Sequence, residues 1–439
     1  MQHRYQIIQP GWTITVNSGF EVLRDFAVVL EDNRIQTLIA NDAVTELPCY
    51  EQAEIIRLPN CALMPGLVNS HTHASMGLFR GIADDLPLME WLTGHIWPAE
   101  TRWVDAQFTA DGFMLAAAEM MRSGTTCLND MYYFPDTAAR CAQAIGMRSV
   151  IGLIVLDFPS VWARDADEYL HKALAAHDEI RELPLVSSAF APHAPYTVSD
   201  ESLRLVAMYS SELDVPVHMH VHETAAEVAE AQQKTGLRPL ERLDQLNLLN
   251  SNLIAVHMTE LDEFEIERIA EAGVSVAHCP ESNLKLGSGI CPVATLLERG
   301  VNLCLGTDGA ASNNDLDLLG EMRTAALLAK GSSGNASACN ARQSIEMATI
   351  NGARALGLAD RIGSIEAGKY ADLIAIDLSG LNTQPVYDPV AQIVYAAASR
   401  QVSHVWIDGV IQLRDFEFCR LDSDEIVARA ASWAQKIRS

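Results

Sequence analysis

Short apolar runs alternate with helical stretches through the middle of this chain, and there are eight of them. They span 62–70, 125–131, 147–157, 184–191, 215–222, 252–257, 274–279 and 301–306. Between them lie amphipathic segments such as Asp111–Ser123, Ser199–Leu213, Glu260–Ala272 and Pro292–Arg299. Repeated βα units argue for a parallel sheet, and eight of them predict a closed (β/α)8 barrel. An open doubly wound sheet fits less well, because no Gly-rich phosphate loop follows the first strand.

The two ends of the chain read differently. Strand-like runs at Trp12–Val16, Phe26–Leu30 and Arg34–Leu38 are separated by polar turns, with no long helix before residue 60. Residues 362–413, including Gly363–Asp377 and Val402–Gln412, read as hairpin β-structure. The ends are expected to pair into one small composite β-sandwich domain, formed by residues 1–61 and 362–439 beside a barrel of residues 62–361. A helix over Asp424–Ile437 would close the chain. With 439 residues, 49% of them hydrophobic, the chain can bury a core large enough for this plan.

Charge and cysteines narrow the function classes. A net charge of −26 leaves no basic footprint for a nucleic-acid backbone. The nine cysteines form no Cys-x-x-Cys pair. Cys61, Cys127, Cys279 and Cys304 sit in apolar runs and read as buried, reduced thiols, as in the cytosol. Met1–Pro10 carries His3, Arg4, Tyr5 and Gln6 where a signal peptide needs an apolar run. No segment approaches the roughly 18 apolar residues of a membrane span. The expectation is a soluble cytoplasmic protein that acts on a small molecule, without nucleic-acid or membrane partners. Barrels of this size often self-associate, although the sequence leaves the oligomeric state open.

In such a barrel, chemistry belongs at the C-terminal ends of the strands. Several expected strand ends carry ligand-type residues. The first gives His71 and His73, whose side chains project together from an extended chain and can share a cation. The fourth is followed by His193, and the fifth gives His218, His220, His222 and Glu223. The sixth gives His257, the seventh leads to His278, and the eighth to Thr307-Asp308-Gly309. Any one of these histidines reads more readily as a core or rim residue. Their recurrence at equivalent places points to a metal centre. His218, His220 and His222 all face one side of the fifth strand, and spacing alone selects none of them.

His71-x-His73, a fifth-strand His with Glu three residues later, a sixth-strand His and an eighth-strand Asp together resemble the amidohydrolase superfamily. Within it, Gly81–Trp91, Trp97–Glu100, His220-Val221-His222-Glu223-Thr224 and Gly306–Asn314 are similar to the 5-methylthioadenosine/S-adenosylhomocysteine deaminases. The resemblance runs from about residue 60 to about 380. It implies a single metal held by His71, His73, His220 and Asp308, a set that suits Zn²⁺ and also admits Fe²⁺. It implies Glu223 as the proton shuttle to the purine ring, and His257 as the group that orients the attacking water. Asp308 would also accept the water's proton. Glu100 would bind the ribose hydroxyls and His193 a ring nitrogen. Trp91 would form an apolar wall, and Ser312 would meet the base edge or cap a helix beginning near Asn313.

The implied reaction is hydrolytic deamination of an adenine nucleoside. Zn²⁺ lowers the pKa of bound water from 15.7 to about 7, which gives a nucleophile at neutral pH. Members that accept S-adenosylhomocysteine hold its carboxylate with arginines after the third strand. Here Arg148 is the basic residue of that strand and the candidate contact, but it sits early, and Ser149–Val161 contains none. The expected substrate is therefore 5′-methylthioadenosine or adenosine ahead of S-adenosylhomocysteine. Rival readings are a free-base or triazine deaminase, a chlorohydrolase, an amide or lactam hydrolase, and a metal-free scaffold. A scaffold would be expected to have lost ligands that are all present here.

Overall fold

The computed structural model describes residues 3–438. Eight parallel strands form one sheet in sequential order: Leu67–Thr72, Thr125–Tyr132, Arg148–Val155, Val186–Pro192, Val217–Val221, Leu253–His257, Ser275–His278 and Asn302–Leu305. All eight expected runs are strands. Every residue in them except Ser187 and Asn302 is buried. Burial on both faces is what nearly continuous apolar runs require.

The first run is split between two sheets. Residues 62–65 finish a longer strand, Glu54–Pro65, which pairs with Tyr5–Ile14 and Leu373–Asp377 in the second sheet. The barrel begins at Leu67, after Gly66. A side chain at Gly66 would meet Thr126 at 2.0 Å, so the residue at this crossing has to be glycine. The expected boundary between 61 and 62 therefore moves to Gly66. Hydropathy could not place it, because the chain is apolar on both sides.

The last barrel strand meets the first through contacts above the sheet. The Asp308 N–H donates to the His71 carbonyl at 3.1 Å, and Thr72 Oγ1 donates to the Asp308 carbonyl at 3.1 Å. The Asn69 amide donates to Thr307 Oγ1 at 2.7 Å. This closure joins the two strand ends that carry His71 and Asp308.

Both chain ends build the second sheet, which has nine strands. Its two halves share an apolar core in which Ile8, Val28 and Leu30 pack with Leu373, Trp406 and Ile411. The first strand begins at Tyr5, earlier than its polar residues suggest. Gln6 is fully buried there, donating to the Gly409 carbonyl at 2.8 Å and accepting from Trp406 Nε1 at 3.2 Å. Residues 363–372, expected as β-structure, connect irregularly apart from a single antiparallel bridge between Tyr370 and Arg34, and the continuous strand starts at Leu373. The terminal helix, Ser423–Arg438, packs on the barrel helix Ala106–Arg122, where Trp433 Nε1 donates to Asp111 Oδ2 at 2.9 Å.

The segment after the first barrel strand is helical. A 3-10 turn at Ala74–Phe79 is followed by a helical turn at Leu88–Trp91, a π-turn at Leu92–Ile96 and a helix at Trp97–Trp103. All nine cysteines are unpaired, and Cys61, Cys127, Cys279 and Cys304 are buried. Among the described residues, no helix is long and apolar enough to cross a membrane.

Candidate metal centre and active site

The strand ends bring His71, His73, His220 and Asp308 together. One ligand atom from each lies within 4.8 Å of all the others. His71 Nε2 is 3.1 Å and His73 Nε2 3.3 Å from Asp308 Oδ1. His220 Nε2 is 3.2 Å from His71 Nε2 and 3.3 Å from His73 Nε2. A cation held at about 2.0–2.1 Å by tetrahedral ligands spaces those ligands about 3.3 Å apart.

The surroundings fix which ring nitrogens face inward with a lone pair. His73 Nδ1 lies 2.6 Å from the Met131 carbonyl, and His220 Nδ1 lies 2.7 Å from the His193 carbonyl. A carbonyl only accepts, so each Nδ1 carries a hydrogen, and in the neutral ring each Nε2 then turns its lone pair toward the cluster. Two such lone pairs 3.3 Å apart repel unless a proton or a metal ion lies between them. The donor set therefore fits a metal ion.

The supporting contacts are equally specific. His218 Nε2 lies 2.7 Å from His71 Nδ1, which sets the orientation of the His71 ring. Asp308 Oδ2 accepts from both Ser282 Oγ and Ser312 Oγ at 2.6 Å. Burial would raise the Asp308 carboxyl, but the His71 and His73 imidazoles beside it outweigh that and hold the group well below the usual carboxylate range. Ser312 thus supports a ligand. It caps no helix, because the next helix begins at Leu318 with Asp317 as its cap.

Backbone turns resolve the fifth-strand ambiguity. Strict alternation would aim His218, His220 and His222 the same way. His222 has a φ of +54°, which breaks the alternation. Its ring turns away, with Nδ1 donating to the Glu260 carbonyl at 2.8 Å. The reverse happens at His257, which lies level with Val221 in the sheet and would point away by register. Its φ of +75° brings the ring inward, to 3.9 Å between Nε2 and Glu223 Oε2. His257 Nδ1 donates to Asn283 Oδ1 at 2.8 Å. His278 is buried away from the cluster, and neither ring nitrogen has a partner.

A cleft opens over this cluster. His73, His220, Asp308, Glu223, His257, Trp91, Glu100, His193 and Ser312 line it. Apolar walls come from Leu88, Trp97, Tyr133, Ile154, Leu156 and Phe158, and no Lys or Arg reaches it. Burial pushes Glu100 up to about 7, opposed by Tyr132 and His73 nearby. Burial also raises Glu223, opposed by His257. Burial lowers His193 to about 3, so its ring is neutral. His193 Nδ1 lies 3.0 Å from Thr197 Oγ1.

Arg148 is not part of the cleft. It enters at the opposite end of the third strand, where Nε pairs with Asp372 Oδ2 at 2.6 Å and Nη2 with Asp408 Oδ1 at 3.2 Å. The candidate substrate contact is corrected to a buried tie between the barrel and the second sheet. Ser282 and Asn283 escaped the sequence reading because Ser and Asn at a helix start look like ordinary capping residues.

Comparison with known proteins places this site in context. The "5-methylthioadenosine/S-adenosylhomocysteine deaminase" of Saccharophagus degradans is 48% identical over 433 residues, covering 99% of this chain and 97% of that protein. The "5'-deoxyadenosine deaminase" of Methanopyrus kandleri is 40% identical over 420 residues, covering 95% and 96%. The crystal structure of an adenosine deaminase from Xanthomonas campestris with bound zinc superposes with a TM-score of 0.95 at 49% identity, covering 99% of this chain and 98% of that one. The amidohydrolase family pattern matches residues 62–411, which takes in the whole barrel and every strand end described above. With these matches and four ligand-type side chains converging at the barrel mouth, the chain belongs to the amidohydrolase family.

Proposed function

We propose that this chain deaminates an adenine nucleoside hydrolytically, releasing ammonia and the inosine analogue. The observation that carries the reading is a cation-shaped cluster of three imidazoles and one carboxylate beneath a cleft that also presents Glu223, His257 and Glu100. The names of the relatives support the same reading. His71, His73, His220 and Asp308 would hold the ion, and three neutral imidazoles with one carboxylate suit Zn²⁺. A divalent cation bound there supplies a Lewis acid that makes water nucleophilic near neutral pH.

The chain's own groups then divide the work. His257, its ring held by Asn283, orients the attacking water toward the ring carbon that bears the amine. Glu223 takes one proton of the water and delivers it to the neighbouring ring nitrogen, a role for which a raised carboxyl is suited. Asp308 accepts the other proton of the water and passes it to the leaving amine. Water's oxygen replaces the amine; one of its protons ends on the ring and the other on ammonia. Glu100 accepts from two ribose hydroxyls, which would also stabilise its carboxylate form. Trp91 walls the base, and the neutral His193 ring contacts a purine nitrogen.

The apolar end of the third strand supports a short uncharged 5′ substituent. Ile154, Leu156 and Phe158 line the cleft there without any cation for a carboxylate tail. The test is a panel of 5′-methylthioadenosine, adenosine and S-adenosylhomocysteine with metal-loaded enzyme, followed by loss of the adenine chromophore. The first two should turn over with the higher kcat/KM. A clear preference for S-adenosylhomocysteine would refute the substrate assignment, and no turnover of any would refute the function. The nine unpaired cysteines support a cytoplasmic setting.

A further inference from the structure

The fifth strand ends at Val221, and the chain turns at left-handed His222 before presenting Glu223. The Glu223 carboxylate has only distant partners, Ser288 Oγ at 3.5 Å and His257 Nε2 at 3.9 Å. Its main chain, by contrast, is pinned on both sides. The Glu223 N–H donates to Glu227 Oε2 at 2.7 Å, and the Glu223 carbonyl accepts from Thr259 Oγ1 at 2.8 Å. The other Glu227 oxygen accepts from the His222 N–H at 3.3 Å. Glu227 is itself held on the first turn of the helix Ala225–Thr235, where its N–H donates to Thr224 Oγ1 at 3.1 Å. It does not line the catalytic cleft but borders a neighbouring cavity that shares Tyr196 with it.

A group that picks up and releases a proton cannot be tied down through its own carboxylate without fixing its rotamer and its acidity. Its aim must come from the backbone. We infer that Glu227 is a positioning residue for the proton transfer: its carboxylate clamps the turn at 222–223 and so aims Glu223 at the reacting ring. The inference rests on the role given to Glu223 above. Two N–H groups face two carboxylate oxygens, so both oxygens are needed. Glutamine keeps the shape but offers one acceptor and turns an NH₂ toward the other N–H.

The test is a double-mutant cycle on the metal-loaded enzyme. Glu227→Gln should lower kcat about tenfold, since slight misplacement of a reacting group costs rate steeply. KM should stay within about twofold and metal content should not change. In a Glu223→Gln background, adding Glu227→Gln should change the residual kcat by less than about twofold, because the group being aimed is already disabled. Thr259→Val, which removes the hydroxyl that bonds the His222 and Glu223 carbonyls of the same turn, should give the same signature and carries the test if Glu227→Gln fails to fold. Multiplicative losses in the double variant, unchanged kcat in the single one, or a loss explained by KM or metal content would each overturn the inference. Near-normal turnover of Glu223→Gln alone would instead overturn the role of Glu223.

Discussion

At the residue scale, the site separates groups that hold from groups that react. Glu223 is buried but nearly free of side-chain partners, and Glu223→Gln should cost about 10²–10⁴ in kcat with metal content unchanged, measured by single-turnover kinetics beside metal analysis. Ser282 does the opposite work. It supplies one of two hydroxyls on Asp308 Oδ2, and Ser282→Ala should weaken metal affinity about 10–100-fold in a chelator competition. Glu100 links pH to both binding and stability. Its folded carboxyl sits near 7 against an ordinary 4.5, so the folded state holds the extra proton in that window. Its contribution to stability is full below about 4.5 and is lost as pH rises through about 7. Binding runs the other way, because the anion accepts the ribose hydroxyls. The ratio of kcat/KM for a ribonucleoside to that for its 2′,3′-dideoxy analogue should climb as pH rises through about 7. Glu100→Gln should raise Tm at pH 8 while raising KM.

At the scale of elements, the site is assembled where regular structure stops. His222, His257 and Asp308 follow or end their strands with positive φ, at +54°, +75° and +58°. Such turns are strained for residues with a side chain, and packing must hold them. The segment Trp91–Trp103 brings Trp91 and Glu100 to one cleft across a π-turn, a device common at functional sites. Closure of the barrel depends on a close approach. A Cβ on Gly306 would lie 2.8 Å from the His71 Cβ and 2.9 Å from its backbone nitrogen. Gly306→Ala should destabilise the fold by about 1–3 kcal/mol and displace His71. Urea unfolding should show a lower midpoint, and metal titration a lower affinity.

At the scale of the whole molecule, the second sheet is built from both chain ends and fastened to the barrel through Arg148. The guanidinium is bidentate to Asp372 at 2.6 and 3.0 Å, and both side chains are almost wholly buried. Removing Asp372 leaves the buried guanidinium with one carboxylate contact, to Asp408 at 3.2 Å. Asp372→Asn should cost about 3–5 kcal/mol, read from urea unfolding. Its KM for every nucleoside should match the parent enzyme, because the pair lies at the far end of the barrel. A selective rise in KM for the carboxylate-bearing nucleoside would return Arg148 to the substrate.

The amino-acid sequence by itself determined the eight-strand count, the joining of the two ends and the ligand-type residues at the strand mouths. Apolar runs and residue chemistry are local properties, and they survive in a one-dimensional reading. The tertiary structure alone decided which of His218, His220 and His222 faces the cluster, how His257 turns in against its register, and that Ser282 and Ser312 steady Asp308. It also moved Arg148 from the substrate to the seam between sheets, and the barrel's start from residue 62 to Leu67. Each of these depends on a single dihedral angle or on a side-chain contact outside the strand, and neither leaves a periodic mark in the chain.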